Sequence, residues 1–331
     1  MLQTDRVRIV IDDEYPIQPE LHRTRRWSCG APWAILLVLL VFIYGSHAPL
    51  ISLTKVDGHV PFSSSSCVVL IEFAKLVVSF ATLVVTGNLS SLKASVSIVA
   101  VLPYAIPALL YAFNNNLVVI MQVYMDPSSF QLFSNLKIGS TALLYTFCLG
   151  KRLRRGQWFA VGLLVAAGVC HSYTSLDWEQ PKEDISNPGL RITSWGLLLV
   201  LVYCFVSGLA AVYTERTLKT QHLPLSLQNL FLYAFGVAIN LMSLVTGSSG
   251  QQGFLYGFSA LVWVIIAGQV TNGLLMSVIM KHGTGIMRLF VISSGMLVNG
   301  VLSWWLLGIQ LTHHFLFAVV LIGWAVYLYY R

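Results

Sequence analysis

The side chains able to do chemistry in this sequence sit inside long apolar runs. Glu72 and Lys75 stand three residues apart in the middle of one run, so a helix puts them on one face, where they can pair. Tyr111 is followed by three adjacent amides, Asn114, Asn115 and Asn116, in a run that also holds Pro103 and Pro107. Lys137 lies near the middle of another, seven residues after Phe130, and no carboxylate of its own helix is near enough to pair with it. Lys281 and His282 precede Gly283-Thr284-Gly285, and Arg288 follows one turn later.

A polar side chain in hydrocarbon is costly and faces a bundle interior or a water-filled cavity. Glu72 and Lys75 therefore either lock the bundle as an internal ion pair or line a cavity wall. Three adjacent asparagines cannot all face lipid without losing several kcal/mol of unsatisfied amide. At least one should bridge neighbouring helices while the others face a cavity, where an amide suits the edge of a base or ribose; interhelical glue is the competing reading. A lone ammonium at Lys137 asks for an anionic ligand or a distant partner such as Glu72. A helix N-terminus flanked by Lys281 and Arg288 suits phosphate, although Lys281 also fits a simple bias of positive charge to one membrane side. The sequence has no Gly-Lys-Ser/Thr phosphate loop, no Gly-x-Ser-x-Gly elbow and no His-Glu-x-x-His helix. Neither catalytic residues nor a metal or cofactor are expected.

Membrane helices must carry these groups. The chain is 56% apolar and 10% charged, whereas a soluble protein carries about 25% charged residues. Apolar runs near the length a bilayer demands recur along the whole chain. They predict spans at Pro32–Leu53, Ser66–Thr86, Ile98–Gln122, Pro127–Leu149, Gln157–Tyr173, Thr193–Tyr213, Leu225–Val245, Phe254–Met280, Gly285–Leu307 and His313–Tyr330. The net charge of +7 reflects basic residues gathered in alternate loops rather than a nucleic-acid partner. Arg23, Arg25 and Arg26, then Lys93, then Lys151, Arg152, Arg154 and Arg155, then Arg216 and Lys219, then Lys281 place both termini in the cytosol. The loop with Asp177, Glu179, Glu183 and Asp184 then faces the lumen or exterior. The five cysteines show neither metal-ligand spacing nor a disulfide framework.

Leu149-Gly150 precedes Phe159-Ala160-Val161 at the spacing by which Leu307-Gly308 precedes Phe317-Ala318-Val319. That fits two homologous halves of five spans, inverted because five is odd, an architecture of secondary transporters. The expected fold is thus all-α and polytopic: a cytosolic tail at 1–31, a first repeat at 32–173, a luminal linker at 174–192 and a second repeat at 193–330.

Several motifs resemble the nucleotide-sugar transporters of solute carrier family 35, subfamily A, within the drug/metabolite transporter superfamily. They are Glu72-x-x-Lys75, Tyr111-Ala112-Phe113-Asn114-Asn115-Asn116-Leu117, and Met125-Asp126-Pro127-Ser128-Ser129-Phe130-Gln131 running to Leu136-Lys137-Ile138 and Thr141-Ala142-Leu143. Gln157-Trp158, Gly208-Leu209-Ala210-Ala211-Val212-Tyr213-Thr214-Glu215, Leu218-Lys219, Gln228-Asn229 and Val262-Trp263 continue it. The chain departs from that family at Gln228, where an arginine is usual, at Asn272-Gly273-Leu274 and at Lys281-His282-Gly283-Thr284-Gly285-Ile286. The resemblance implies ten helices, a Golgi location, and exchange of a pyrimidine nucleotide sugar (UDP or CDP/CMP) entering the lumen for a nucleoside monophosphate leaving it. It implies nucleotide contacts at Tyr111, Asn115, Asn116, Phe130, Lys137, Asn229 and Lys281, joined by Arg288 from the reading above. It leaves open a homo-oligomer or association with other Golgi transporters. The competing reading is a non-transporting membrane partner that keeps the fold. Asn88-Leu89-Ser90 is a glycosylation acceptor, yet this orientation puts it on the cytosolic side. Glycosidase treatment should leave the protein's gel mobility unchanged; a shift abolished by Asn88→Gln would invert the orientation.

Overall fold

The computed structural model describes residues 31–56, 60–88, 97–125, 127–150, 152–178, 194–221, 223–246, 253–308 and 313–331. The expected tail, most of the acidic linker, Lys93, Lys151 and the Leu89-Ser90 part of the acceptor motif lie outside them. The order is α1 (Ala31–Thr54), α2 (Ser64–Val85), α3 (Ile98–Val101), α4 (Ala105–Tyr124), α5 (Pro127–Ser134), α6 (Leu136–Leu149) and α7 (Arg155–Trp178). Then come α8 (Ser194–Thr220), α9 (Leu225–Thr246), α10 (Ala260–His282), α11 (Gly285–Leu307) and α12 (His313–Tyr330). Among the described residues, seven helices are long and apolar enough to cross a membrane: α1, α2, the run through α3 and α4, α8, α9, α10 and α11. Helix α12 is a shorter apolar helix. The exposed faces carry Ile35, Val38 and Phe42 on α1, Phe147 on α6, Phe159 on α7 and Trp324 on α12. So much exposed apolar surface belongs against lipid, and the chain is a polytopic helical membrane protein.

Two spans are less regular than their apolar runs suggest. The run predicted as Pro127–Leu149 breaks at Asn135, between α5 and α6. The side chain explains the break: Asn135 Nδ2 donates to Gly168 O at 3.0 Å and to Ser172 Oγ at 2.9 Å, both on α7. An amide facing a neighbouring helix finds its acceptors there, and the interruption falls two residues before Lys137. The span predicted from Phe254 begins instead at Ala260. Ahead of it, Tyr256 N donates to Gly253 O at 2.8 Å, and Gly257 takes φ +75 against the backbone of Pro61, a turn only glycine fills easily. Pro103 lies in a 3-10 turn, Leu102–Tyr104, which joins α3 to α4.

Packing distributes the helices around an interior space. The most extensive contacts are α7 with α12, α1 with α11, α2 with α9 and α6 with α8; α4 with α8 and α1 with α10 come next. One apolar core, with Ile138, Leu164, Ile286 and Ala318, lies among α6, α7, α11 and α12. A second, with Leu40, Leu83, Leu227 and Ile279, joins α1, α2, α9 and α10. Helices α6 and α11 both end in left-handed glycine caps, Gly150 at φ 62 and Gly308 at φ 68. Close helix approach rests on small residues. A Cβ on Gly45 of α1 would strike Gly295 O and stand 2.6 Å from Val298 Cβ on α11. Gly45→Val should therefore lower detergent-solubilised stability by about 1–3 kcal/mol, seen as a reduced melting temperature. An unchanged melt would mean that α1 and α11 do not cross here.

Candidate functional site

Helices α2, α4, α6, α8, α9, α10 and α11, with part of α1, enclose a cavity of about 640 Å³. That is the size of a site for a small organic ligand. Its lining includes Glu72, Lys75, Tyr111, Asn114, Asn115, Lys137 and Arg288, together with Tyr44, Tyr203 and Tyr233. The sequence-predicted residues Tyr111, Asn115, Lys137 and Arg288 are thus brought together. Asn116, Phe130, Asn229 and Lys281 do not line the cavity in this conformation.

Lys137 stands in the first turn of α6, directly after the break at Asn135, and lines the cavity. Its Nζ lies 6.0 Å above the Tyr203 ring. Phe130 packs edge-on with the same ring: its ring centre is 5.3 Å from that of Tyr203, with the planes at 69°. Phe130 therefore positions an aromatic that lines the cavity. Arg288 enters from the first turn of α11, where an Nη1 donates to Tyr111 Oη at 3.3 Å. Its Nε is buried without a hydrogen-bond partner, so the guanidinium keeps donors to spare.

Glu72 and Lys75 form an ion pair at 2.5 Å and do not reach Lys137. The pair is fitted into its neighbours: Gly236 of α9 leaves room for Glu72 Oε2, and Gly273 of α10 leaves room for the Lys75 chain. Lys75 Nζ also sits 4.5 Å over the Tyr233 ring. Lining a wall and tying helices together are one arrangement here. Among the described lining residues, the cations are Lys75, Lys137 and Arg288, and the sole carboxylate is that of Glu72. Once Lys75 is paired, the cavity retains two cations without a bonded carboxylate, an environment that attracts an anion.

The three asparagines divide their tasks. Asn114 is buried and Asn115 exposed, and both line the cavity; the Oδ1 of Asn114 has no partner. Asn116 turns back on its own helix, donating to Ala112 O at 2.9 Å. Lys281 is engaged elsewhere: Nζ donates to Leu223 O and to Gln228 Oε1, each at 2.7 Å, and so holds the α8–α9 turn. Asn229 is buried beside Gln228 with its Oδ1 unpartnered.

The N-terminus of α11, which the sequence marks for phosphate, already holds an anion of the protein. Gly285 N donates to Glu215 Oε2 at 2.7 Å, and Lys219 Nζ bridges Glu215 Oε1 at 2.5 Å and Gly283 O at 2.6 Å. Glu215 is fully buried, and the helix end and the ammonium together neutralise it. This clasp and the Lys281 contacts lie toward one end of the bundle. The lining runs from Thr214 and Arg288, beside the clasp, to Phe62, Ser64 and Asn240 toward the α1–α2 loop. Residues such as Asn240, Gln269 and Asn272 also line the cavity, and their amides inside apolar runs gave the same signal as Asn114. Tyr203 gave none, because a tyrosine in an apolar run reads as packing.

The family model for nucleotide-sugar transporters matches residues 33–330. The chain belongs to the nucleotide-sugar transporter family. It is 69% identical over 298 residues to the probable UDP-sugar transporter SLC35A4 of Danio rerio, covering 90% of this chain and 93% of that one. Against the same-named proteins of Xenopus tropicalis and Homo sapiens, identity is 56% over 299 residues and 48% over 319 residues, with 92% and 97% of those chains covered. This family member also shares its fold with a solved crystal structure at a TM-score of 0.64 and 15% identity, over 89% of this chain and 96% of that one. Glu215→Ala should destabilise the protein by about 2–4 kcal/mol, since it leaves the Gly285 amide without its acceptor and the Lys219 ammonium without its counter-charge. Thermal unfolding in detergent measures this; a melt like that of the unsubstituted protein would show that the clasp does not form.

Proposed function

We propose that this protein carries a nucleotide sugar with a pyrimidine base (UDP or CDP/CMP) across the Golgi membrane into the lumen, in exchange for a nucleoside monophosphate. The observation that carries the reading is the pair of cations, Lys137 and Arg288, facing one cavity without a bonded carboxylate. They hold the phosphates. Tyr111 and Asn115 hold base and ribose, with Tyr44 and Tyr203 as stacking surfaces. Phe130 backs Tyr203, while Asn116, Asn229 and Lys281 lie outside the cavity lining in this conformation. The names of the relatives, probable UDP-sugar transporters matched over nearly their whole length, support a uridine nucleotide.

Exchange follows from the same charges, because an empty cavity with unpaired cations resists reorganisation. Two inverted five-span repeats, 32–173 and 193–330, joined by a luminal linker at 174–192 and preceded by a cytosolic tail at 1–31, supply the machinery. The α3–α4 run and the α5–α6 pair each count as one span in this reading. The packing supports it. Pairing the spans in order across the linker converts the α1–α11 contact into α6–α8, and α1–α10 into α4–α8, while α7–α12 and α2–α9 map onto themselves. The matched glycine caps at Gly150 and Gly308 obey the same pairing. With cytosolic termini, the cavity extends toward the lumen and the Glu215 clasp closes the cytosolic side.

Proteoliposomes loaded with UMP or CMP should take up labelled UDP-sugar or CMP-sugar. Lys137→Ala and Arg288→Ala should each reduce uptake at least about tenfold, as expected for losing a charge-assisted contact. Uptake unaffected by both substitutions would overturn the site. No uptake, with no melting shift from any nucleotide, would favour a non-transporting partner protein.

A further inference from the structure

The cavity has two unlike walls. Lys137, Tyr203 and Arg288 come from α6, α8 and α11 and present positive charge and aromatic surface. The other wall comes from α2, α9 and α10, which pack on one another. It presents Glu72, Lys75, Asn240, Gln269 and Asn272. Its ammonium is already matched by a carboxylate at 2.5 Å, so this wall is close to neutral and rich in amides.

Asn272 is the unsatisfied member of that wall. Its Nδ2 lies 3.5 Å from Gln269 Oε1, one turn back on the same face of α10. Its Oδ1 is buried and accepts no hydrogen bond. Asn240 differs, since its Nδ2 is spent on Gly236 O of its own helix at 2.7 Å. A buried acceptor without a donor is unfavourable, and at a cavity wall a ligand hydroxyl or amide N–H supplies the missing partner. Asn272 also adjoins Gly273, against which the Lys75 chain packs, so the Glu72–Lys75 pair lies alongside.

We propose that Asn272 and Gln269, with the Glu72 carboxylate beside them, form the subsite for the sugar of the transported nucleotide, and that Asn272 selects among sugars. This deepens the transport reading above and rests on it. The division follows from the chemistry of the two walls. A diphosphate needs cations, which only the first wall offers unpaired. A hexosyl group is uncharged and carries adjacent hydroxyls, each a donor and an acceptor. Paired amides with a free acceptor match such hydroxyls, and a carboxylate accepts from a third. A site built to hydrogen-bond a particular hydroxyl or acetamide N–H rejects a sugar that cannot supply it, because its own buried acceptor is then left unpaired.

The test separates sugar from nucleotide. Melting shifts of the purified full chain are titrated with UMP, UDP-glucose, UDP-galactose and UDP-N-acetylglucosamine, for the unsubstituted protein, Asn272→Ala and Gln269→Ala. For the best UDP-sugar, each variant should lower the ratio of UDP-sugar affinity to UMP affinity about five- to tenfold, the value of one hydrogen bond. Asn272→Ala should also flatten the ranking of the three sugars. Binding of UMP and UDP-sugars with that ratio unchanged in both variants overturns the subsite and leaves the transport reading standing. An unsubstituted protein stabilised by neither UMP nor any UDP-sugar overturns the transport reading and the subsite with it. Should Asn272→Ala fail to fold, Asn272→Ser and Gln269→Ala give the same ratio.

Discussion

A charge placed among hydrocarbon must be answered by an opposite charge, a helix end, a backbone carbonyl or a wet cavity, and the described helices are arranged around those answers. Glu72 is answered by Lys75 within its own helix, and glycines on α9 and α10 make room for the pair. Glu215 is answered jointly by Lys219 and the first amide of α11. Lys281 is answered by a carbonyl and an amide at the α8–α9 turn. Lys137 and Arg288 are the ones turned toward open space. The same requirement that holds the bundle together also leaves two cations, Lys137 and Arg288, lining the cavity without a bonded carboxylate.

The backbone obeys the related rule that polar groups be satisfied inside the bundle. Asn135 interrupts the α5–α6 run because α7 supplies its acceptors, and Lys137 follows at once in the new helix. Gly150 and Gly308 end α6 and α11 in the same left-handed turn. The family match covers residues 33–330, and the cavity lies among the helices of that stretch.

What the sequence could disclose was set by how far apart the interacting residues lie. Glu72 and Lys75 share a helix turn, so their pairing was plain from spacing alone. Lys137 was plain for the opposite reason: nothing local could neutralise it. The contacts of Lys281 were not legible, because Leu223 and Gln228, its partners, stand 58 and 53 residues away and no spacing rule connects them. The α11 N-terminus, whose flanking cations suit phosphate, receives Glu215, 70 residues earlier, and no local pattern announces that partner. The break at Asn135 likewise depends on acceptors 33 and 37 residues further on. The span at Phe254 was drawn too early because aromatic residues in a glycine turn look as apolar as those in a helix.

Tyr111 and Arg288 are separated by 177 residues, yet the guanidinium reaches the phenol across the cavity wall. The contact is long, at 3.3 Å, and its acceptor is neutral. A phosphate is a stronger acceptor for the same donors. Under the transport reading, cargo that takes Arg288 would release α11 from α4 in the act of binding, so that the latch and the load share a single hook.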